Sequence, residues 1–376
     1  MLIDTPQQLS SFCERAASSP ILAVDTEFLR EKTYYPTPCL LQVGTAEEQA
    51  AIDVIRLKDL DLLEELLFDR TVPKVIHACS QDLEVFVRLF GKIPEPIFDT
   101  QVAAAYAGYR MQIGYGPLVE AICGIHLPKS QSLTDWSRRP LDPMQVGYAE
   151  DDVRYLPAVY KCLMDKLVEL DRLSWVLPEM QALSVNEVGG HDPASAYLHV
   201  KRIGTLTRTQ LAVARELAAW RERKAAKRNI PRKWLLSDEV VIEISKLMPT
   251  TVERLRSIRG VVGLSEKDAH AVIVAVGLGK KCKPVDLPPV PKHRRSTPEE
   301  ECVVDLMHAY MRVISEHTGI AGPLMASRDD LLDFMKDPES TKLSEGWREE
   351  VLGKPLRNLL AGQVGLTVKD NHVELL

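Results

Sequence analysis

None of the seven cysteines forms a Cys-x-x-Cys pair, and no histidine cluster lies near any of them. That scatter argues against a zinc site or a disulfide framework and points to reduced thiols in a cytosolic protein. No apolar run reaches roughly 18 residues, so a membrane-spanning helix is not expected. The opening Met-Leu-Ile-Asp-Thr-Pro-Gln-Gln lacks the basic region and apolar core of a secretory signal. A soluble, cytoplasmic chain with no membrane partner is therefore expected. Dinucleotide binding has no support either: no Gly-x-Gly-x-x-Gly follows a predicted strand, and Gly114 with Gly116 is only a turn-like pair.

What is present is unevenly spread. The 376 residues exceed one ordinary core, so two or three domains are expected. Net charge is about −12 over residues 1–199, about +13 over 200–295 and about −7 over 296–376, within a formal total of −6. An acidic part joined to a basic one suits a division between metal-dependent chemistry and the holding of a polyanion.

The most informative stretch is Ile21-Leu-Ala-Val-Asp25-Thr-Glu27-Phe-Leu-Arg30. Ile21–Val24 reads as a strand buried on both faces, and two carboxylates follow at once. Period-2 geometry turns Asp25 and Glu27 to one side, where they repel and need a cationic partner such as a divalent metal. The alternative is that the strand ends at Val24 and both are solvated loop residues.

Around this stretch, residues 5–17 predict a helix capped by Thr5 with Pro6 at its first position. Further strands are expected at 39–44, 50–55, 74–78 and 97–99, with helices over 58–68, 80–90 and 101–107. Ser80 is the expected cap of the second of these, and Asp99 suits a cap for the third. Asp82, in a first helical turn, would also suit the helix dipole alone. The order of elements predicts a mixed sheet flanked by helices.

The loop 128–143 carries Lys129, Trp136, Arg138 and Arg139; an aromatic among cations suits a nucleotide contact, and Trp136 equally suits a hydrophobic anchor. From Pro143 a long helix is expected to about Leu170, with Pro157 as a possible kink site. Within it Tyr148 and Asp152, four apart, share a face that Glu150 and Asp151 do not. Residues 184–205 read as a linker. Only helices are expected afterwards: 208–227 with a basic tail (Arg221, Arg223, Lys224, Lys227, Arg228), 238–246, 251–256, 266–276, and a final set over 298–361 beyond a basic, Pro-rich stretch at 280–295. That basic tail could also be a plain solvated face.

Asp25, Glu27, Asp82, Tyr148 and Asp152 thus give four carboxylates and a phenol from three elements. Converged, they would need about two divalent cations, which together clamp a phosphodiester for in-line attack. Their order resembles the DEDD family of 3′–5′ exonucleases, in the subclass whose third motif is Tyr-x-x-x-Asp, and within it the ribonuclease D family. The resemblance rests on Asp25-Thr-Glu27-Phe, His77-Ala-Cys-Ser-Gln-Asp82-Leu-Glu, Phe98-Asp99-Thr, Lys129-Ser-Gln-Ser-Leu-Thr-Asp-Trp136 and Tyr148-Ala-Glu-Asp-Asp152. Leu217-Ala-Ala-Trp220, Pro231, Pro249 and Leu255-Arg-Ser-Ile258-Arg-Gly260 resemble the helical HRDC module. Two positions depart from the pattern: Ala78 where many members have Asn, and Gln131 where Glu is common.

The resemblance implies a ribonuclease H-like α/β exonuclease domain over 1–195, an all-α HRDC domain over 205–285 and a second HRDC-like helical domain over 296–376. It implies a monomer using two Mg²⁺ or Mn²⁺ ions to release 5′-mononucleotides from the 3′-OH end of RNA, including tRNA precursors and other structured RNAs. Asp25 would bridge both metals, Glu27 and Asp152 would hold the one that binds the attacking water, Asp82 would support the other, and Tyr148 would orient the water. Lys129, Trp136, Arg138, Arg221 and Lys224 are the expected substrate contacts. A DNA 3′ exonuclease of the same superfamily is the rival among enzymes; a retired nuclease that only binds nucleic acid is the rival outside them.

Overall fold

A computed structural model describes residues 1–128, 134–188, 192–288 and 296–376. Six strands form one mixed sheet: β1 (Leu2–Ile3), β2 (Leu22–Leu29), β3 (Thr37–Gly44), β4 (Gln49–Ile52), β5 (Lys74–Ile76) and β6 (Ile97–Asp99), in the order β1-β4-β3-β2-β5-β6. β2 lies near the centre, antiparallel to β3 and parallel to β5. It does not end at Val24. Asp25, Thr26 and Glu27 all pair with β3, so the two carboxylates are strand residues and not a solvated loop. The register slips between Glu27 and Phe28, where Cys39 is the extra residue of β3.

Helices α1 (Pro6–Ala16), α2 (Asp61–Leu67), α3 (Ser80–Phe90), α4 (Thr100–Tyr106), α5 (Tyr115–Cys123), α6 (Pro143–Arg154), α7 (Leu156–Glu169) and α8 (Leu173–Val188) cover the sheet. Thr5 and Gln8 form the capping box of α1. Apolar cores lie on either side of β2, one including Phe12, Leu63 and Phe86, the other Ala104, Leu118, Val159 and Leu163.

Sequence and structure part company at several places. The short edge strand β1 and helix α8 were not foreseen, and β4 stops at Ile52 because the Asp53 carboxylate, fully buried, turns the chain by accepting from the N–H groups of Ile55 and Arg56. The helix expected over 143–170 is two helices. Pro157 has no N–H to offer Val153, and the helix breaks at Tyr155, whose N–H faces the Tyr115 hydroxyl at 3.4 Å. Ser80 does not cap α3: Cys79 stands at the cap position, and no side chain among the described residues bonds the first-turn N–H groups. Asp99 instead fixes the turn before the helix, accepting from the N–H groups of Ala78 (3.2 Å) and Cys79 (2.9 Å) while capping α4 through Gln101 (2.8 Å) and Val102 (3.2 Å).

Downstream, α9 (Arg208–Arg228), α10 (Arg232–Leu235), α11 (Asp238–Leu247), α12 (Val252–Arg256) and α13 (Glu266–Lys280) share a core that includes Leu211, Leu217, Ile244 and Val272. The last part contains α14 (Pro298–Thr318), α15 (Gly322–Met325), α16 (Arg328–Lys336), α17 (Gly346–Arg348) and α18 (Lys354–Leu360) around Met307, Phe334 and Leu356. A hairpin, β7 (Leu366–Lys369) and β8 (His372–Leu375), is added to this helical set, turning at Asp370-Asn371 with both φ positive. Trp347 of α17 stacks on Trp175 of α8 at 5.1 Å between ring centres and meets Tyr106 edge-on, seating the last part against the sheet-bearing part.

Ala78, between β5 and α3, holds a left-handed backbone (φ 59°) with its side chain exposed. A left-handed backbone costs an L-residue about 1–2 kcal/mol, less for Asn. Ala78→Asn is therefore expected to stabilise the folded chain by about 0.5–1 kcal/mol, read as a raised denaturation midpoint. A lowered midpoint would contradict this account of the α3 entry.

Candidate active site

The fold brings together what the sequence kept apart. β2 presents Asp25 and Glu27, α6 brings Asp152 across β3, and carboxylate oxygens of the three lie within 4.8 Å of one another. α6 can come this near because β3 ends in glycine: a Cβ on Gly44 would sit 3.1 Å from the carbonyl oxygen and Cβ of Val153, next to Asp152. The helix starts at an Asp142–Gln145 capping box with Pro143 in its first turn, and Ala149 and Val153 face the interior.

Asp82 arrives from α3. It is 7 % exposed, and the Thr26 hydroxyl donates to its Oδ1 at 2.5 Å, locking it to the residue between the two strand carboxylates. Two residues on, Glu84 pairs with Arg30 at 2.6 Å, fastening the same helix to the end of β2. Tyr148 stands one helical turn before Asp152, half-buried, its ring 6.2 Å from that of Trp136. Glu150 and Asp151 point elsewhere, Glu150 to the N-terminal ammonium (2.5 Å) and Arg154, Asp151 to Arg154 (2.8 Å).

Burial, joined by neighbouring carboxylates, shifts every one of these groups. Burial, then the charges of Asp82, Asp152 and Glu27, hold the Asp25 carboxyl well above its usual range. Burial, then Asp152 and Asp82, push Glu27 up to about 8. Burial raises Asp82 to about 7 against the opposing Thr26 hydrogen bond, and burial with Asp151 and Asp82 raises Asp152 to about 7. The Tyr148 phenol is also raised, by burial and then by Asp152, Glu27 and Asp25, so it is protonated at neutral pH. An all-oxygen set of crowded carboxylates is the donor chemistry of a hard divalent cation, and Asp25, Glu27 and Asp152 fit one.

A family model described as 3′-5′ exonuclease matches residues 1–168, and the HRDC domain model matches 210–266. Ribonuclease D of Granulibacter bethesdensis is 38 % identical, with 100 % of this chain and 96 % of the relative covered; that of Acidiphilium cryptum is 36 % identical over the same shares. The chain belongs to the ribonuclease D family. The crystal structure of Escherichia coli RNase D, described as an exoribonuclease involved in structured RNA processing, superposes with a TM-score of 0.81 at 31 % identity, covering 96 % of this chain and 98 % of that one. The catalytic core of RRP6 from Trypanosoma brucei shares the fold, with a TM-score of 0.57 at 24 % identity. Like its ribonuclease D relatives, this chain is a 3′–5′ exoribonuclease with a mixed-sheet exonuclease fold followed by a helical HRDC region.

Most of the expected substrate contacts in this chain do other work. Trp136, 2 % exposed, packs with Cys39, Leu40, Leu141 and Ala149 as an anchor and offers no face for a base. Arg221 is buried, bonded to the Leu236 carbonyl and Asp238, because α9 turns that face into its own core. Lys224 pairs at 2.6 Å with Asp268, which Arg228 also holds. Arg138 is exposed, with Asp135 at 3.3 Å. Lys129 lies outside the described residues, as does Gln131. Arg139, read only as one cation of the loop, pins that loop by a two-pronged pair with Asp53 (2.6 and 2.9 Å) and a bond to the Cys39 carbonyl. Nothing in sequence spacing signals that pairing. Tyr115 was missed as well; its hydroxyl donates to the Asp151 carbonyl at 2.9 Å and steadies the end of α6.

A carboxyl raised on folding stabilises the folded chain fully below its unfolded pKa of about 4, and that stabilisation is lost as pH rises through its folded pKa. The metal-free protein should therefore lose thermal stability between about pH 5 and 8.5 as Asp82, Asp152 and Glu27 ionise. Millimolar Mg²⁺ should restore it, with the gain in Tm larger at the upper end. A Mg²⁺ gain equal at both ends would contradict the crowding.

Proposed function

We propose that Asp25, Glu27, Asp82, Tyr148 and Asp152 form the catalytic centre, and that the four carboxylates hold two divalent cations, Mg²⁺ or Mn²⁺. The observation that carries this is the gathering of Asp25, Glu27 and Asp152 from a strand and a helix within 4.8 Å. Asp25, on whose carboxyl Asp82, Asp152 and Glu27 all act, would be the ligand shared by both cations. Glu27 and Asp152 would complete one position, and Asp82 would support the other. Bound cations would ease deprotonation of a water and offset charge on the phosphoryl oxygens. Tyr148, protonated and fixed on α6, orients that water by hydrogen bonding and does not act as a base. Attack of the water oxygen on the last phosphorus breaks the P–O3′ bond. The released nucleotide keeps its 5′-phosphate, and the shortened strand regains a 3′-hydroxyl.

The substrate is RNA with a free 3′-hydroxyl, tRNA precursors and other structured RNAs among them, on the support of relatives that span the whole chain. Catalysis belongs to residues 1–195, and substrate holding to 205–285 with 296–376 beside it. Arg138 remains a candidate RNA contact near the centre. Seven free cysteines fit a reducing compartment such as the cytoplasm, and among the described residues no helix is long and apolar enough to cross a membrane.

Asp25→Asn should keep the fold by circular dichroism and lose more than about nine-tenths of the hydrolysis rate on 3′-labelled RNA. Tyr148→Phe should lower turnover by roughly 10²- to 10⁴-fold with substrate affinity and metal binding nearly unchanged. Internal cuts or nucleoside 3′-phosphates as first products would contradict the assignment, and a fully active Tyr148→Phe would reduce that residue to packing.

A further inference from the structure

Between β2 and β3 the chain makes a hairpin tip, residues 30–36, that leaves the active site and docks on the helical part. The Tyr34 hydroxyl donates to Glu222, and the N–H groups of Tyr34 and Tyr35 both donate to Asn229 Oδ1, at 3.2 and 3.0 Å. Two adjoining cavities of about 540 and 820 Å³ open on either side of this seam and share Tyr34, His199 and Arg232 in their walls.

The charges lining the seam divide into committed and uncommitted ones. Arg30 pairs with Glu84, Arg232 with Glu222 and Arg221 with Asp238, so those cations and acids largely cancel. Lys201, Arg223 and Lys233 line the same cavities, are exposed, and make no ion pair among the described residues. The acids there without an ion pair are Asp192, which accepts from the Ala194 N–H, and Glu239, whose carboxyl is held down by its own N–H, by Ser237 and by the nearby Lys201. Tyr35 adds an aromatic ring, 40 % exposed, with the Arg88 guanidinium 5.6 Å from its centre. Cations beside an accessible aromatic are the requirement for holding a single strand: the cations follow the phosphates and the ring takes a base.

The seam is also near the chemistry. Arg30 follows the last residue of β2 and is three residues beyond Glu27, about 10 Å at the rise of a strand. We propose that this groove, walled by the β2–β3 hairpin tip and the first helical part, holds the single-stranded RNA segment on the 5′ side of the bond being cut. This rests on the exoribonuclease function and assigns to Lys201, Arg223, Lys233 and Tyr35 the contacts that Trp136, Arg221 and Lys224 do not make. A strand lying there touches both parts at once, so the helical part positions the 3′ end as well as adding affinity.

The test measures binding of a fluorescein-labelled twelve-nucleotide RNA to the full chain in EDTA, where nothing is cut, over a series of salt concentrations. The triple variant Lys201→Ala, Arg223→Ala, Lys233→Ala should bind about tenfold or more weakly, with a salt slope shallower by roughly 2, since each phosphate contact on a single strand contributes about 0.7. Tyr35→Ala should weaken binding with the slope unchanged, because stacking releases no counterion. A charge-matched control, Lys161→Ala, Lys354→Ala, Lys369→Ala, removes the same charge from distant exposed sites and should bind as the wild type does. Wild-type affinity and slope in the groove variant, with the wild type binding normally, would overturn the groove and leave the exoribonuclease function standing. No RNA binding by any form would overturn both.

Discussion

Carboxylates gathered in a shielded pocket repel one another and lose hydration, and that repulsion is the constraint on which the rest of this structure depends. Exposed and apart, Asp25, Glu27, Asp82 and Asp152 would be ordinary acids; burial, and then neighbouring carboxylate charge, drives each toward its protonated form. A flexible site would relax by letting them separate. Here each acid sits on an element that cannot drift: a central strand paired on both sides, a helix bonded to that strand through Thr26 and Arg30, and a helix seated against Gly44. Asp99 and Tyr115 support the frame from behind, the first by anchoring the start of α3, the second by fixing the end of α6 where Pro157 breaks it. Rigid support of this kind preorganises a cation site, because the repulsion is relieved only when cations arrive.

The same reasoning separates what was legible in the sequence from what was not. Asp25 and Glu27 were visible because strand period and charge conflict at that point, and Tyr148 with Asp152 because four residues make a helical turn. Asp82 needed the other motifs, since a first-turn acid has an adequate local explanation. The failures came from burial and pairing, which depend on tertiary packing. Trp136 reads identically in sequence as an anchor or as a base platform, and only Cys39, Leu40 and Ala149 around it decide. Arg221 and Lys224 lie in a segment whose net charge is strongly positive, but charge counting cannot see that Asp238 and Asp268 fold back onto them. Ser80 was a sound cap by type. Asp99, nineteen residues later in the chain, reached the turn just before that helix through space, at the Ala78 and Cys79 N–H groups.

The helical parts are not loosely tethered additions. One meets the β2–β3 hairpin tip through Tyr34, Glu222 and Asn229; the other meets α4 and α8 through Trp347, and Arg172 joins the Tyr106 and Thr318 carbonyls. The first contact bears on the hairpin that continues from the strand of Asp25 and Glu27. Basic charge that stays free after internal pairing faces the seam at the first of these contacts, so charge, seam and chemistry lie along one path.

The central claim is that relief of carboxylate crowding drives cation binding. Calorimetric titration of the metal-free chain with Mn²⁺, repeated in buffers of different ionisation enthalpy, counts the protons displaced. Raised carboxyls at Asp25, Glu27, Asp82 and Asp152 predict release of at least roughly one proton at pH 7, with fewer released as pH rises. Binding at pH 7 with no proton released would mean that the four acids are already ionised and uncrowded, and would contradict the account.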